Sequence, residues 1–285
     1  MWVKPVYIEK IAATFEKTAG GYSLKEPDYK LLIPNATLRR RMSRIVRMGV
    51  ATGLQCQEGT TSPVNAILTA TGLGCLADTE KFMNTILDHN EELLAPTAFI
   101  QSTFNTVGAQ IALLTGNHSY NNTYVHRAFS LESALLDSIL LLQENEASSV
   151  LAGAVDEMTP ALQAILGRFG LWKKSKPGEG AVFFLLSEHV SPDSMAELCD
   201  MELFSGRFTA GEIDERMQAF LLRNKATDTQ VIYPGEYKQY CGEYPTAMSF
   251  AVWYACTRMQ EPDYPRSVLL YNSFLDNHSF ILMRR

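Results

Sequence analysis

At 285 residues, 46% hydrophobic and 20% charged, the chain can bury a large core, as one large domain or as two fused halves. Its net charge of −6 argues against a nucleic-acid partner, which calls for a basic excess. No apolar run reaches the roughly 18 residues of a membrane span, and the first residues lack the basic start and long apolar stretch of a signal peptide, so the expectation is a cytoplasmic protein without a membrane span. Cys56, Cys75, Cys199, Cys241 and Cys256 are scattered and form no C-x-x-C, which predicts neither a disulfide framework nor a metal site.

Periodicity predicts strands at 6–12, 65–70, 122–125, 149–154, 181–187, 201–204, 230–233, 267–272 and 279–283. It predicts helices at 38–57, 78–89, 99–115, 130–144, 160–168, 210–225 and 246–259. Strands separated by helix-length segments imply an α/β layered fold with mostly parallel sheets. In chain order, the first helix places Arg40, Arg44 and Arg47 on one face. That face reads first as a solvated or salt-bridged surface, and second as a dock for an acidic partner. Gly72-Leu73-Gly74 follows a strand but has Ala77 where a dinucleotide loop has its third glycine, so no nucleotide or other cofactor is expected.

The stretch Asn121 to Gln143, NNTYVHRAFSLESALLDSILLLQ, reads as a strand feeding a helix that is apolar almost all round and therefore buried. Such a junction favours an anion through unpaired amides and the helix dipole and suits a nucleophile. This one carries His126, Arg127, Ala128 and Phe129, with neither cysteine nor serine among them. Ser130 reads as an N-cap before it reads as a nucleophile.

From Leu38 to Glu188 the chain resembles the N-terminal half of the β-ketoacyl synthases, condensing enzymes of the thiolase fold. RRRMSRIVRMGVATGLQ is similar to their first long helix, ILTATGLGCLADTEKFM to the second strand and turn, and APTAFIQSTFNTVGAQIALLTG to the segment approaching the acyl pocket. SSVLAGAVDEMTP and GEGAVFFLLSE are similar to the strands that follow the nucleophile helix. The resemblance implies a thiolase-like αβαβα fold of two related halves, residues 1–189 and a shortened 190–285, forming together one compact domain. It places Ala128 where the family has its catalytic cysteine. Cys241-Gly242-Glu243 lies where the family has Thr-Gly-His, so Glu243 replaces one catalytic histidine. The motif of the other histidine is missing, with Tyr233-Pro234-Gly235-Glu236 the nearest loop. Asn272-Ser273-Phe274 is all that remains of a glycine-rich gating motif.

Condensation needs a thiolate and two histidine donors, so the resemblance implies a silent subunit rather than a condensing enzyme. It resembles the chain-length factors that pair with an active ketosynthase in type II polyketide, aryl polyene and flexirubin systems and shape the acyl tunnel. The implied partners are that ketosynthase and an acyl carrier protein bearing a phosphopantetheine-bound acyl chain. The interface strand would be Asn121, Asn122, Thr123, Tyr124 and Val125, with 99–115 lining the junction. Phe104 and Phe129 are the tunnel or gate candidates, against the plainer reading of ordinary core aromatics. Arg40, Arg44 and Arg47 are the carrier-protein docking candidates. Two other readings stay open: an acyl-transfer or decarboxylating enzyme using Ser130, Cys241 or Glu243, and a structural homodimeric scaffold.

Overall fold

The computed structural model describes residues 4–60, 62–92, 94, 96–173 and 175–285. The first half contains β1 (Val6–Ala13), β2 (Phe15–Thr18), β3 (Gly21–Leu24), α1 (Tyr29–Leu32), α2 (Ala36–Arg41), α3 (Arg44–Gln57) and β4 (Ala66–Ala70). There follow α4 (Leu76–Asp88), α5 (Pro96–Gln101), α6 (Thr106–Thr115), β5 (Tyr120–Tyr124), α7 (Ser130–Gln143), β6 (Ser149–Asp156), α8 (Pro160–Arg168) and β7 (Gly180–Ser187). The remainder comprises β8 (Ala196–Ser205), α9 (Ala210–Arg223), β9 (Gln230–Ile232), α10 (Pro234–Cys241), α11 (Met248–Met259), β10 (Ser267–Phe274) and β11 (Asn277–Arg284).

Nine strands form one sheet in the order β5-β4-β6-β7-β1-β8-β11-β10-β9. The junction of its two blocks is narrow: β1 meets β8 only through Val6–Leu198, Tyr7–Glu197 and Ile8–Ala196. Central strands β4 and β6 are buried along their whole length, as continuous apolar runs covered on both faces require. One core, built around α3 and Ile111 of α6, covers the outer face of the first block. A second lies between the blocks and holds Leu131, Leu135 and Ile139 of α7 beside Phe250 and Ala251 of α11. A third packs α9 against Phe280 and Leu282 of the second block. The layers therefore run αβαβα, the thiolase-like order, with α7 and α11 as the middle helices.

Four expectations are corrected. The sheet is mostly antiparallel: only β4–β5, β4–β6 and β9–β10 are parallel. The predicted helix 38–57 breaks where Met42 turns extended and buries itself, and Ser43 opens α3. The predicted helix 99–115 likewise divides into α5 and α6, the gap held by Thr106 Oγ1 donating to Ile100 O at 3.2 Å. Finally, α7 is not buried all round, because Leu136 and Leu140 stand one turn apart on an exposed stripe. Periodicity also missed the β2–β3 hairpin, whose Phe15 and Tyr22 seat edge-on against Phe250 at centroid distances of 4.7 and 6.1 Å.

Candidate functional site

β5 runs into His126, then a 3-10 turn over Arg127–Phe129, then α7. Strain at this elbow falls on Arg127, whose φ is +54°, a left-handed conformation that costs about 1–3 kcal/mol for a non-glycine residue. Ala128 is buried beside it, and its methyl group has no atom able to carry an acyl chain. His126 is exposed and lies 5.8 Å from the Tyr124 ring. Ser130 is not the helix cap that the sequence suggests. Fully buried inside the first turn, its Oγ accepts the His126 amide at 2.9 Å and lies 2.8 Å from Thr71 O and 3.0 Å from Arg127 O, tying the elbow together.

The fold brings the three degenerate motifs into one chamber. Arg127, Glu243 and Phe274 line a cavity of about 200 Å³ with Leu73, Glu157, Met158, Leu162, Leu166 and Leu275. Glu243 forms a 2.7 Å ion pair with Lys238, which also donates to Ser273 O at 2.8 Å. Burial pushes the Glu243 carboxyl upward, and Lys238 pulls it back. Gly242 is required on its own account: at φ +78° its backbone lies against Gly178, where an added Cβ would come within 2.6 Å of Cα. Tyr233-Pro234-Gly235-Glu236 begins α10, and the Glu236 side chain accepts the Tyr233 amide at 2.9 Å, a cap rather than a catalytic loop. Gly74, at φ +70°, lies beneath the Phe104 ring, so this turn is packed rather than open to a phosphate.

Sequence reading missed the most deeply buried acid. Glu132, in the first turn of α7, accepts Ser279 Oγ at 2.6 Å, linking the middle helix to β11. Burial pushes its carboxyl up to about 7 against the opposing Ser279 bond. Its signal was an acid in the first turn of a largely apolar helix, which carries only one other, Asp137. Glu157 is likewise pushed up to about 7 by burial, against the Ala77 amide it accepts at 2.9 Å. Asp156 is saturated by Thr71 Oγ1, the Gly72 amide, and the amide and hydroxyl of Thr246, at 2.7–3.0 Å. It therefore serves to join β4, β6 and α11. Tyr237 donates to Asn272 at 2.8 Å in the same interior.

Among the described residues no cysteine, serine or threonine lines this chamber. Cys241 is buried, burial raises its thiol well above the ordinary range, and the other four cysteines are buried too, an environment of inert rather than reactive thiols. Arg40, Arg44 and Arg47 do not share a helix face, because the break at Met42 separates Arg40 from the others. Arg44 is held by Glu26 at 2.6 Å and by both oxygens of Glu179 at 2.7 and 2.8 Å, and Arg47 lies 5.5 Å over the Tyr29 ring. Only Arg40 of the three is exposed. Phe104 is 54% exposed and Phe129 half-buried, so neither is an ordinary core aromatic. Among the described residues no group of acids, cysteines or histidines is placed to hold a metal, and no helix is long and apolar enough to cross a membrane.

Five αβαβα layers, with a strand-to-helix elbow pointing into a chamber shared by both blocks, define the ketosynthase class of thiolase-like proteins. The sequence pattern of the beta-ketoacyl synthase N-terminal domain matches residues 16–175, and the chain belongs to that family. No curated protein matches the sequence. Among solved structures it is similar to the ishigamide ketosynthase/chain length factor, with a TM-score of 0.81 at 12% identity, covering 98% of this chain and 99% of that one. It is also similar to a type II polyketide ketosynthase solved with its acyl-carrier protein, at 0.78 and 13% with 98% of each chain covered. The ketosynthase solved with its chain length factor from Xenorhabdus doucetiae gives 0.61 at 13% identity, covering 99% of each chain. Identities this low speak for the fold alone.

Proposed function

We propose that the chain is a catalytically silent, chain-length-factor-like subunit that pairs with an active β-ketoacyl synthase. The observation that carries this reading is the free edge of β5. It ends the sheet, and apolar side chains are exposed on it and on the elements beside it: Leu113 of α6 at 74%, Tyr120 of β5 at 49% and Leu140 of α7 at 47%. An edge strand bordered by exposed apolar groups invites pairing unless a partner covers it. Asn121 to Tyr124 of β5 is then the interface strand, with Val125 just past its end because pairing with β4 stops at Tyr124.

Tunnel shaping follows from the same face. A groove of about 450 Å³ between α2, α3, α5 and α6 is lined by Leu38, Met42, Val46, Ile100, Ala109 and Leu113, a surface suited to a growing acyl chain. Phe104 and Phe129 are the gate residues of this proposal. Ala128 and the Lys238–Glu243 pair account for silence, since neither a thiolate nor a histidine donor is present. The partner ketosynthase would receive its substrate from an acyl carrier protein through the phosphopantetheine arm, with Arg40 as the docking cation left exposed on this side. An aryl polyene or flexirubin-type pathway in the cytoplasm is the setting we assign. The pathway is an assignment of this proposal, and the likeness in fold to solved ketosynthase and chain length factor assemblies supports the pairing. Co-expression with a ketosynthase that has its cysteine and both histidines tests it: Leu136→Glu/Leu140→Glu should abolish co-purification while leaving the monomer folded, and co-purification at the wild-type level would refute it.

A further inference from the structure

The elbow residue that lines the chamber is Arg127, not Ala128. Arg127 is exposed as well, so the chamber opens to solvent beside it. Glycine adopts its left-handed conformation without strain, and an arginine at φ +54° therefore costs stability that a glycine would not. Nothing in the chain repays that cost: among the described residues no hydrogen bond, ion pair or ring contact holds the guanidinium. The acids on the same wall are already answered. Glu243 is paired with Lys238 at 2.7 Å, and Asp156 accepts four hydrogen bonds at 2.7–3.0 Å. Burial pushes the Glu157 carboxyl up to about 7, so below that pH it faces the chamber largely uncharged. Most of the remaining wall is apolar, with Met158, Leu162, Leu166, Leu171, Phe274 and Leu275 around a cavity of about 200 Å³. Arg127 is left as an unanswered cation at the open end of a small apolar space.

We propose that the chamber binds a short-chain monocarboxylic acid as its anion, the carboxylate meeting the Arg127 guanidinium and the chain lying against Met158, Leu162, Leu166 and Phe274. A guanidinium takes a carboxylate through two parallel N–H···O bonds, and the N-terminus of α7 beside it adds a partial positive charge. Inorganic phosphate suits the same fork, but the leucines beyond Arg127 offer its other oxygens no donor. A carboxylic acid has one charged end and one apolar end, as the chamber does. The cavity is smaller than the usual pocket for a drug-sized ligand, which favours a short chain over a long one. The site is separate from pairing through β5 and needs no partner chain.

Calorimetric titration of octanoate into the full chain at pH 6 tests the proposal. Wild type should bind at a single site, and octanamide, of equal length but uncharged, should bind at least about tenfold more weakly. Arg127→Gln should lower octanoate affinity at least about tenfold and bring it level with octanamide, whereas Arg127→Lys should retain part of it. Arg127→Gly should lose binding to the same extent while melting no lower than wild type, because the strain at φ +54° is relieved; a purely structural arginine would show no such separation of binding from stability. Leu166→Trp, which fills the chamber, should abolish binding by a chain that thermal melts show to be folded. No measurable octanoate binding to wild type, equal affinity for octanamide, or affinity unchanged in Arg127→Gln and Arg127→Gly would overturn the proposal. Octanoate binding that survives Leu166→Trp would put the ligand outside the chamber and overturn it equally.

Discussion

Ala128 occupies the elbow where the resemblance places a thiol, yet a thiol there would meet the wrong neighbours. Glu243 is neutralised by Lys238 and faces the chamber as an acid, so no imidazole stands ready to stabilise an enolate or oxyanion. Ala128→Cys is therefore expected to leave the chain without condensing activity, as read by carbon dioxide release from malonyl-carrier protein. The Lys238–Glu243 pair is mostly buried, so Lys238→Ala should destabilise the fold by about 3 kcal/mol by stranding the carboxylate, while adding Glu243→Gln should recover most of the loss in a chemical denaturation series. Glu132 gives a pH signature. Its folded pKa of about 7 lies above the ordinary value of 4.5, so the folded state holds the proton more tightly and its contribution is fully present below about 4.5 and lost as pH rises through about 7. Glu132→Gln should flatten that decline, which is on the order of 3 kcal/mol at most. A variant with the wild-type pH profile would exclude Glu132 as its source. Of these residues, Ala128 and Glu243 were singled out by the motifs around them, and the fold sets one in the elbow and the other on the chamber wall. Glu132 and Lys238 were not, since only the folded chain shows an acid of α7 beneath Ser279 and a lysine of α10 beneath Glu243.

Elements were legible where one period dominated. α8 appears at the predicted bounds, and β4, β6 and β7 within two residues of theirs, because buried strands read as unbroken apolar runs. The breaks were hidden. Helical spacing runs unbroken through Met42 and Ser43, and only the burial of Met42 against α3 and its neighbours reveals why the chain turns extended there. The β2–β3 hairpin was lost for the same kind of reason: its four-residue strands are stabilised by Tyr22 and Phe15 against a cluster on α11, a tertiary contact no local pattern reports. β5 is the element on which the proposed pairing turns. Thr123→Pro, in this edge strand, should lower co-purification with a ketosynthase by at least about tenfold, because the amide it removes lies on the free side of β5, donating to Asn122 Oδ1, and not on the side facing β4. A control such as Leu222→Glu, on an exposed position of α9 remote from β5, should leave it unchanged.

At the scale of the molecule, two sheet blocks meet through three residue pairs and are otherwise held together by the middle helices α7 and α11. α7 faces both ways: Leu131 and Leu135 sit in the core between the blocks, while Leu136 and Leu140 are left to the outside. The parallel sheet expected from alternating elements was wrong because strand and helix order alone does not reveal direction; the second block pairs β8, β11 and β10 antiparallel, only β10 and β11 being a hairpin, with one short parallel strand added. If Phe129 or Phe104 limits the tunnel, Phe129→Ala or Phe104→Ala in the complex should shift the product to longer chains by mass spectrometry, whereas a purely structural role would leave product length unchanged. The central claim, that this chain is the silent half of a pair, is tested most directly by native mass spectrometry of the co-expressed subunits together with the activity of each alone. A one-to-one heterodimer is predicted, with the ketosynthase inactive or insoluble without this chain. A ketosynthase that forms a fully active homodimer, while this chain stays apart, would contradict the account.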